Sequence, residues 1–222
     1  MAKSDPAPFF TLTSGRKALA GLILAQVLVE LVLLGADHHL WGTTLWRGEA
    51  YQNGAFWAGL LADWHPNYAA QPLTMFLTYS LLHAGPSHLT GNMMSLIFLG
   101  DLVAARVGGR GLIRLYTAAS LGGALAFAIL SHSPAPMIGA SGAIFGLAGA
   151  LTVWDAQSRR AQGLWNRGPL IVAGLAALNL ILWVNASGNL AWETHFGGFV
   201  SGAALARYAP LVLTRPFLAK AR

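Results

Sequence analysis

The sequence predicts an all-α membrane protein: a bundle of six transmembrane helices with a long outer loop between the first two. Three observations carry that expectation. The 222 residues are 55% hydrophobic with a mean hydropathy of +0.53. Only 10% are charged, where a soluble domain carries roughly 25%. Finally, six apolar stretches approach the roughly 20 residues that a spanning helix needs, and basic residues cluster in alternate gaps between them.

The six segments run over residues 18–36, 89–107, 112–131, 137–154, 168–187 and 194–213. They form one membrane domain, 18–213, between short tails at 1–17 and 214–222. The 37–87 connection holds Trp41, Trp46, Trp57 and Trp64, half of the eight Trp residues. That enrichment suits a segment lying at the lipid–water interface. Its last part, residues 72–82, is apolar but too short to cross, so it reads as interfacial or as a lead-in to the second helix. The first 15 residues show no apolar core followed by a small-residue cleavage site, so no removable signal peptide is expected. With no Cys, the chain has neither a disulfide frame nor a thiolate nucleophile.

Basic residues set the orientation. Lys3, Arg16 and Lys17 precede the first segment, and Arg106, Arg110 and Arg114 flank the turn after the second. Arg159, Arg160 and Arg167 follow the fourth, and Arg207, Arg215, Lys220 and Arg222 close the chain. Of the 14 Lys and Arg residues, only Arg47 falls on the other side. Both termini are therefore expected in the cytoplasm and the Trp-rich loop outside. This alternation also explains the net charge of +6 without a nucleic-acid partner.

Three polar clusters then fall at the outer ends of apolar segments. Ser141 opens the fourth, between Gly139 and Gly142, where backbone N–H groups at a helix start lack intrahelical partners. Ala143 rules out a G-x-S-x-G nucleophile elbow. His195 opens the sixth segment, three and seven residues ahead of Gly198 and Gly202 on one helix face. The spacing Gly142, Gly146, Ala150 on one helix and Gly198, Gly202, Ala206 on the other lets two membrane helices approach closely. Such an approach brings His195 to Ser141, with Phe145 one turn below to hold the imidazole. His88 and Asn92 stand one turn apart at the head of the second segment. A nucleophile, a base and hydrogen-bond donors on one side of a bilayer suit acyl hydrolysis, and a Ser–His dyad is the economical reading.

In this order, His83-x-x-x-x-His88-x-x-x-Asn92, Gly139-x-Ser141-Gly142 and His195-x-x-Gly198-x-x-x-Gly202 resemble the rhomboid family of intramembrane serine proteases. The resemblance covers nearly the whole chain after the N-terminal tail. It implies a six-helix rhomboid-like bundle, with Ser141 as nucleophile and His195 as general base. It implies His88, Asn92 and the Ser141 backbone as oxyanion stabilisers. The substrate it implies is a transmembrane protein, cut near the outer end of a membrane helix in a cytoplasmic-type membrane. No metal or cofactor is called for. Two departures stand out. No Arg precedes the first motif in Gln71-Pro72-Leu73-Thr74-Met75, and Phe145 replaces the Tyr of well-known members.

The remaining polar residues read more plainly. His83 is expected to make a structural hydrogen bond, and its spacing from His88 argues against a metal pair. His38, His39, His65 and His132 read as solvated loop residues. Glu30, mid-segment with Gln26 one turn earlier, reads as a protonated or hydrogen-bonded group facing helix neighbours. Asp101 is expected to pair with a basic residue such as Arg106. Two competing functions remain: an inactive rhomboid-like scaffold that binds membrane clients, and a small transporter coupled through Glu30. Intact Ser141 and His195 argue against the first, and the absence of repeated, interrupted halves against the second.

Overall fold

The computed structural model describes residues 13–207. Lys3, Arg215, Lys220 and Arg222, the 214–222 tail, most of the 1–17 tail and the 208–213 end of the sixth segment lie outside the described residues. Seven α-helices follow in order: α1 (Ser14–Asp37), α2 (Trp46–Gly54), α3 (Gln71–Thr78), α4 (Pro86–Leu130), α5 (Ser141–Ala161), α6 (Gly168–Asn185) and α7 (Trp192–Leu205). Short 3-10 turns at Ala58–Leu61 and Tyr79–Leu81 flank α3. Among the described residues the only β pairing is one antiparallel bridge, Phe56 to Met137. Among the described residues three helices, α1, α4 and α6, are long and apolar enough to cross a bilayer by length and composition.

The second and third expected segments are one hydrogen-bonded run, α4, broken at Gly108 (φ 68°, ψ −178°). That φ favours glycine, and it lets the chain reverse without a loop. The reversal follows from what each leg touches. The start of α1 meets the bend, where a Cβ on Gly109 would strike the Ser14 carbonyl. The far ends of both legs meet the 38–85 connection instead. In the first leg His88 meets the His83 ring edge-on at 5.2 Å between centroids, and in the second Phe127 meets the Phe56 ring edge-on at 5.8 Å.

The centre of the bundle is α7, held between α5 and the second leg of α4. A Cβ on Gly198 would strike the Gly142 carbonyl, and one on Gly202 the Gly146 carbonyl. On the opposite face, Gly197 and Gly122 are in the same relation. Glycine is required at these contacts because backbone lies directly on backbone. Trp154, 2% exposed, closes the far end by donating Nε1–H to the Ala206 carbonyl at 2.8 Å.

Residues 72–82 are buried on one face only, with Leu73 and Leu77 exposed on the other, and they lead into α4. Met75 and Tyr79 are fully buried, and they pack with Phe56, Phe127 and Met137 into a small core of their own. Two ionic expectations also change. Asp101 pairs with Arg16 of α1 at 3.2 Å rather than with Arg106. Five residues along a helix do not share a face, and the Arg106 guanidinium lies 4.8 Å above the Trp154 ring instead. Glu30, 2% exposed, is hydrogen-bonded as expected, but to a cation of the short helix α2 rather than to a neighbouring membrane helix. Arg47 of α2 grips it through two nitrogens, at 2.9 and 3.1 Å, and reaches Asp37 at 2.7 Å.

Candidate functional site

Ser141 is the first residue of α5, after Ala140 at the cap. Its backbone N–H therefore has no acceptor inside the helix. The N-terminal half of α7 carries His195, 4% exposed. The glycine contacts between α5 and α7 bring the two side chains together, with His195 Nε2 at 2.8 Å from Ser141 Oγ. Phe145 lies flat on the imidazole, with ring centroids 4.3 Å apart and planes 1° apart. The ring is thus fixed on one face by stacking and on one edge by the hydroxyl.

His88 and Asn92 stand across from this pair, in the first turns of α4. Gly139 has φ +115°, a value that suits glycine. A Cβ there would lie 2.9 Å from His88 Nε2 and 3.9 Å from Asn92 Nδ2. Both nitrogens therefore converge on the backbone two residues ahead of Ser141. The His88 tautomer follows from its other nitrogen. Nδ1 accepts from the Ala84 N–H at 3.2 Å, so in the neutral ring Nε2 carries the proton and is a donor. Asn92 Nδ2 donates one hydrogen to the His88 carbonyl at 3.0 Å and keeps a second. His88 Nε2–H and the remaining Asn92 Nδ2–H thus lie beside Gly139, two residues ahead of the unpaired Ser141 N–H.

The expected structural hydrogen bond of His83 falls short of full geometry, although the Leu81 backbone lies close enough to act on the ring. Its ring is fully buried, and neither nitrogen meets a partner in hydrogen-bonding geometry. It stands edge-on to His88, with centroids 5.2 Å apart. Burial, helped by repulsion from His88, lowers its pKa to about 4, so it is neutral at physiological pH. What it does supply is its carbonyl, which accepts from Arg47 at 3.0 Å and from Tyr51 Oη at 2.7 Å. Burial acts to lower the Arg47 pKa, but hydrogen bonds to Glu30 and Asp37 outweigh it and the net shift is upward. This charged clamp anchors the approach to α4, and so the position of His88. His38, His39, His65 and His132 are exposed, as expected.

The chain matches the Rhomboid domain model over residues 70–210. It belongs to the rhomboid family. Similar proteins include Rhomboid protease GluP of Bacillus subtilis (strain 168), 36% identical over 126 residues, covering 57% of this chain and 24% of that protein. RHOMBOID-like protein 1 of Arabidopsis thaliana is 35% identical over 127 residues, covering 54% of this chain and 30% of that protein. RHOMBOID-like protein 6, mitochondrial, from the same plant is 30% identical over 148 residues, with 64% and 46% covered. The chain therefore spans less than half the length of these relatives. The rhomboid assignment and the apolar helices make it a multi-pass membrane protein of a protease family.

One residue at this rhomboid's site went unnoticed in the sequence. Asn179 of α6 places Oδ1 at 2.5 Å from His195 Nδ1. The signal was present, though no motif contains it. Between Pro169 and Asn185, only Ile171, Leu175 and Asn179 are not fully exposed, and they recur every fourth residue. A lone amide on the inward stripe of an apolar membrane helix calls for a polar partner.

Proposed function

We propose that this rhomboid is an intramembrane serine endopeptidase that cleaves a transmembrane segment of another membrane protein. The observation that carries the proposal is the 2.8 Å contact between Ser141 Oγ and His195 Nε2. Ser141 Oγ gives its proton to Nε2 as it attacks the scissile carbonyl. His195 returns that proton to the leaving amine, and an acyl-ester on Ser141 remains. Water, deprotonated by the same nitrogen, then releases the acid and restores the serine. Negative charge on the carbonyl oxygen is met by the Ser141 backbone N–H, His88 Nε2–H and Asn92 Nδ2–H, a role that the approach of both side chains to Gly139 supports. The scissile segment must locally leave its helix, because a helical carbonyl is engaged in its own ladder. Gly139, Gly142, Gly198 and Gly202 set the approach of the helices, Phe145 holds the base, and His83 supports the entry to α4.

The same reading gives six spans within residues 18–213: α1, the two legs of α4, α5, α6 and α7. Clustering of the basic residues supports cytoplasmic termini in a cell membrane, with the Trp-rich 38–85 connection and the dyad on the outer side. Purified protein in liposomes with a transmembrane substrate provides the test. The wild type is expected to yield two fragments, and Ser141→Ala none. Equal cleavage by both refutes the assignment.

A further inference from the structure

We propose that Asn179 is a positioning residue that completes the dyad, its amide oxygen holding His195 in the one neutral tautomer able to deprotonate Ser141. The inference rests on the assignment of Ser141 and His195 as nucleophile and base, and adds a third member from a helix that contributes nothing else to the chemistry.

For Nε2 to accept the Ser141 proton it must carry a lone pair, so the ring proton must sit on Nδ1. In water the tautomers interconvert freely, but Nδ1–H buried at this site needs an acceptor. Asn179 Oδ1, at 2.5 Å from Nδ1, is that acceptor. The reverse amide orientation would present Nδ2–H to a lone pair on Nδ1 and put the proton on Nε2. The ring would then be a donor toward Ser141 and inert as a base. A neighbour that fixes the base through its other nitrogen is the arrangement that serine hydrolases make with Asp and papain-like proteases with Asn. In the Asp case, loss of the correct tautomer costs about 10⁴ in rate. An amide suits a bilayer setting because it accepts the hydrogen bond without bringing a charge into the apolar region.

The surroundings make the contact specific rather than incidental. His195 is otherwise flanked by Phe145 on its face and Ser141 on its edge. An apolar cavity of about 210 Å³ lies beside it, lined by Phe145, Leu175, Trp192, Phe196 and Asn179 among others, with no hydrogen-bond acceptor among its side chains besides Asn179 and His195. Asn179 is thus the acceptor available to Nδ1 on that side. Since α6 buries none of its own residues beyond Gly168, Asn179 also links this loosely packed helix to the base.

The test uses the full chain in detergent or liposomes, with variants Asn179→Leu and Asn179→Asp, and Ser141→Ala and His195→Ala as references. A fluorophosphonate probe reports nucleophile activation without any protein substrate. ¹⁵N NMR of histidine-labelled protein reports the His195 tautomer. Asn179→Leu is expected to slow Ser141 labelling by about 10- to 1000-fold, to lower kcat with KM nearly unchanged, and to lose the Nδ1–H form. Asn179→Asp, still an acceptor, is expected to retain the Nδ1–H form and more activity than the leucine variant. The proposal is overturned if Asn179→Leu labels at the wild-type rate. It is equally overturned if labelling falls only in step with loss of folded protein, or if the tautomer does not change. The dyad assignment fails separately, if Ser141→Ala or His195→Ala labels as the wild type does.

Discussion

The α5–α7 contact and the α6 helix are built from similar apolar residues and behave as opposites. Along α5 and α7, glycine carbonyls fill the space where side chains would stand, and Gly142, Gly146, Gly198 and Gly202 are all buried. Along α6, Leu178, Leu180, Ile181 and Val184 are exposed, and a Cβ on Gly174 would meet nothing within 4 Å. In a bilayer that exposure costs nothing, because lipid tails are as apolar as leucine. Apolar character alone therefore does not locate a membrane helix; small residues and hydrogen bonds do. Ser141 and His195 sit on the tightly packed helices, and the loose helix reaches His195 through one amide.

The largest effect is expected where the buried half depends on charge. Arg47→Ala leaves Glu30 buried without a counter-charge, which costs on the order of 3–5 kcal/mol. Adding Glu30→Gln should recover most of the loss in thermal unfolding. An Arg47→Ala protein as stable as wild type would mean that the clamp holds nothing.

The same one-carbon change then separates the two regions. Gly202→Ala gains roughly 1 kcal/mol of helix propensity, but its Cβ strikes the Gly146 carbonyl. Overpacking of this kind costs about 1–3 kcal/mol, and more where backbone must move, so net destabilisation and a wider Ser141–His195 gap are expected. Thermal unfolding and probe labelling measure both. A neutral Gly202→Ala would break the comparison.

His83 sharpens it through pH. The folded ring, with its pKa lowered to about 4, stays neutral while the unfolded ring protonates near 6.5. Protons therefore bind the unfolded chain first as pH falls, and stability declines from pH 6.5 toward 4, by up to about 3 kcal/mol. His83→Phe should flatten that part of the stability profile. An unchanged slope would show that another group titrates there.

The smallest effect belongs to α6. Gly174→Ala fills open space and should stabilise by about 0.5–1 kcal/mol, the propensity gain without the collision. A loss of stability there would mean that α6 packs more closely than its exposure indicates.

How far the sequence could be read divides along the same line. The pairing of Ser141 with His195 and the stacking of Phe145 follow from four-residue spacing, because helix geometry turns short-range pattern into a shared face. Gly108 was hidden among Gly109 and Gly111, and φ is a property of one residue's surroundings, not of a run of glycines. The partners of Glu30 and Asp101 lie 17 and 85 residues away in sequence, so no local pattern names them. Asn179 was legible as a lone amide in an apolar run, but its partner is set by how α6 meets α7, which spacing does not encode.

The central claim is that Ser141 and His195 act as one chemical unit, and a double-mutant cycle on proteolysis tests it most directly. Ser141→Ala, His195→Ala and the double variant are compared in liposomes against one transmembrane substrate, at matched amounts of folded protein. Groups acting together are strongly non-additive. Each single change is expected to abolish cleavage, with the double scarcely worse than either. Measurable single-variant rates whose losses multiply in the double variant would contradict the account.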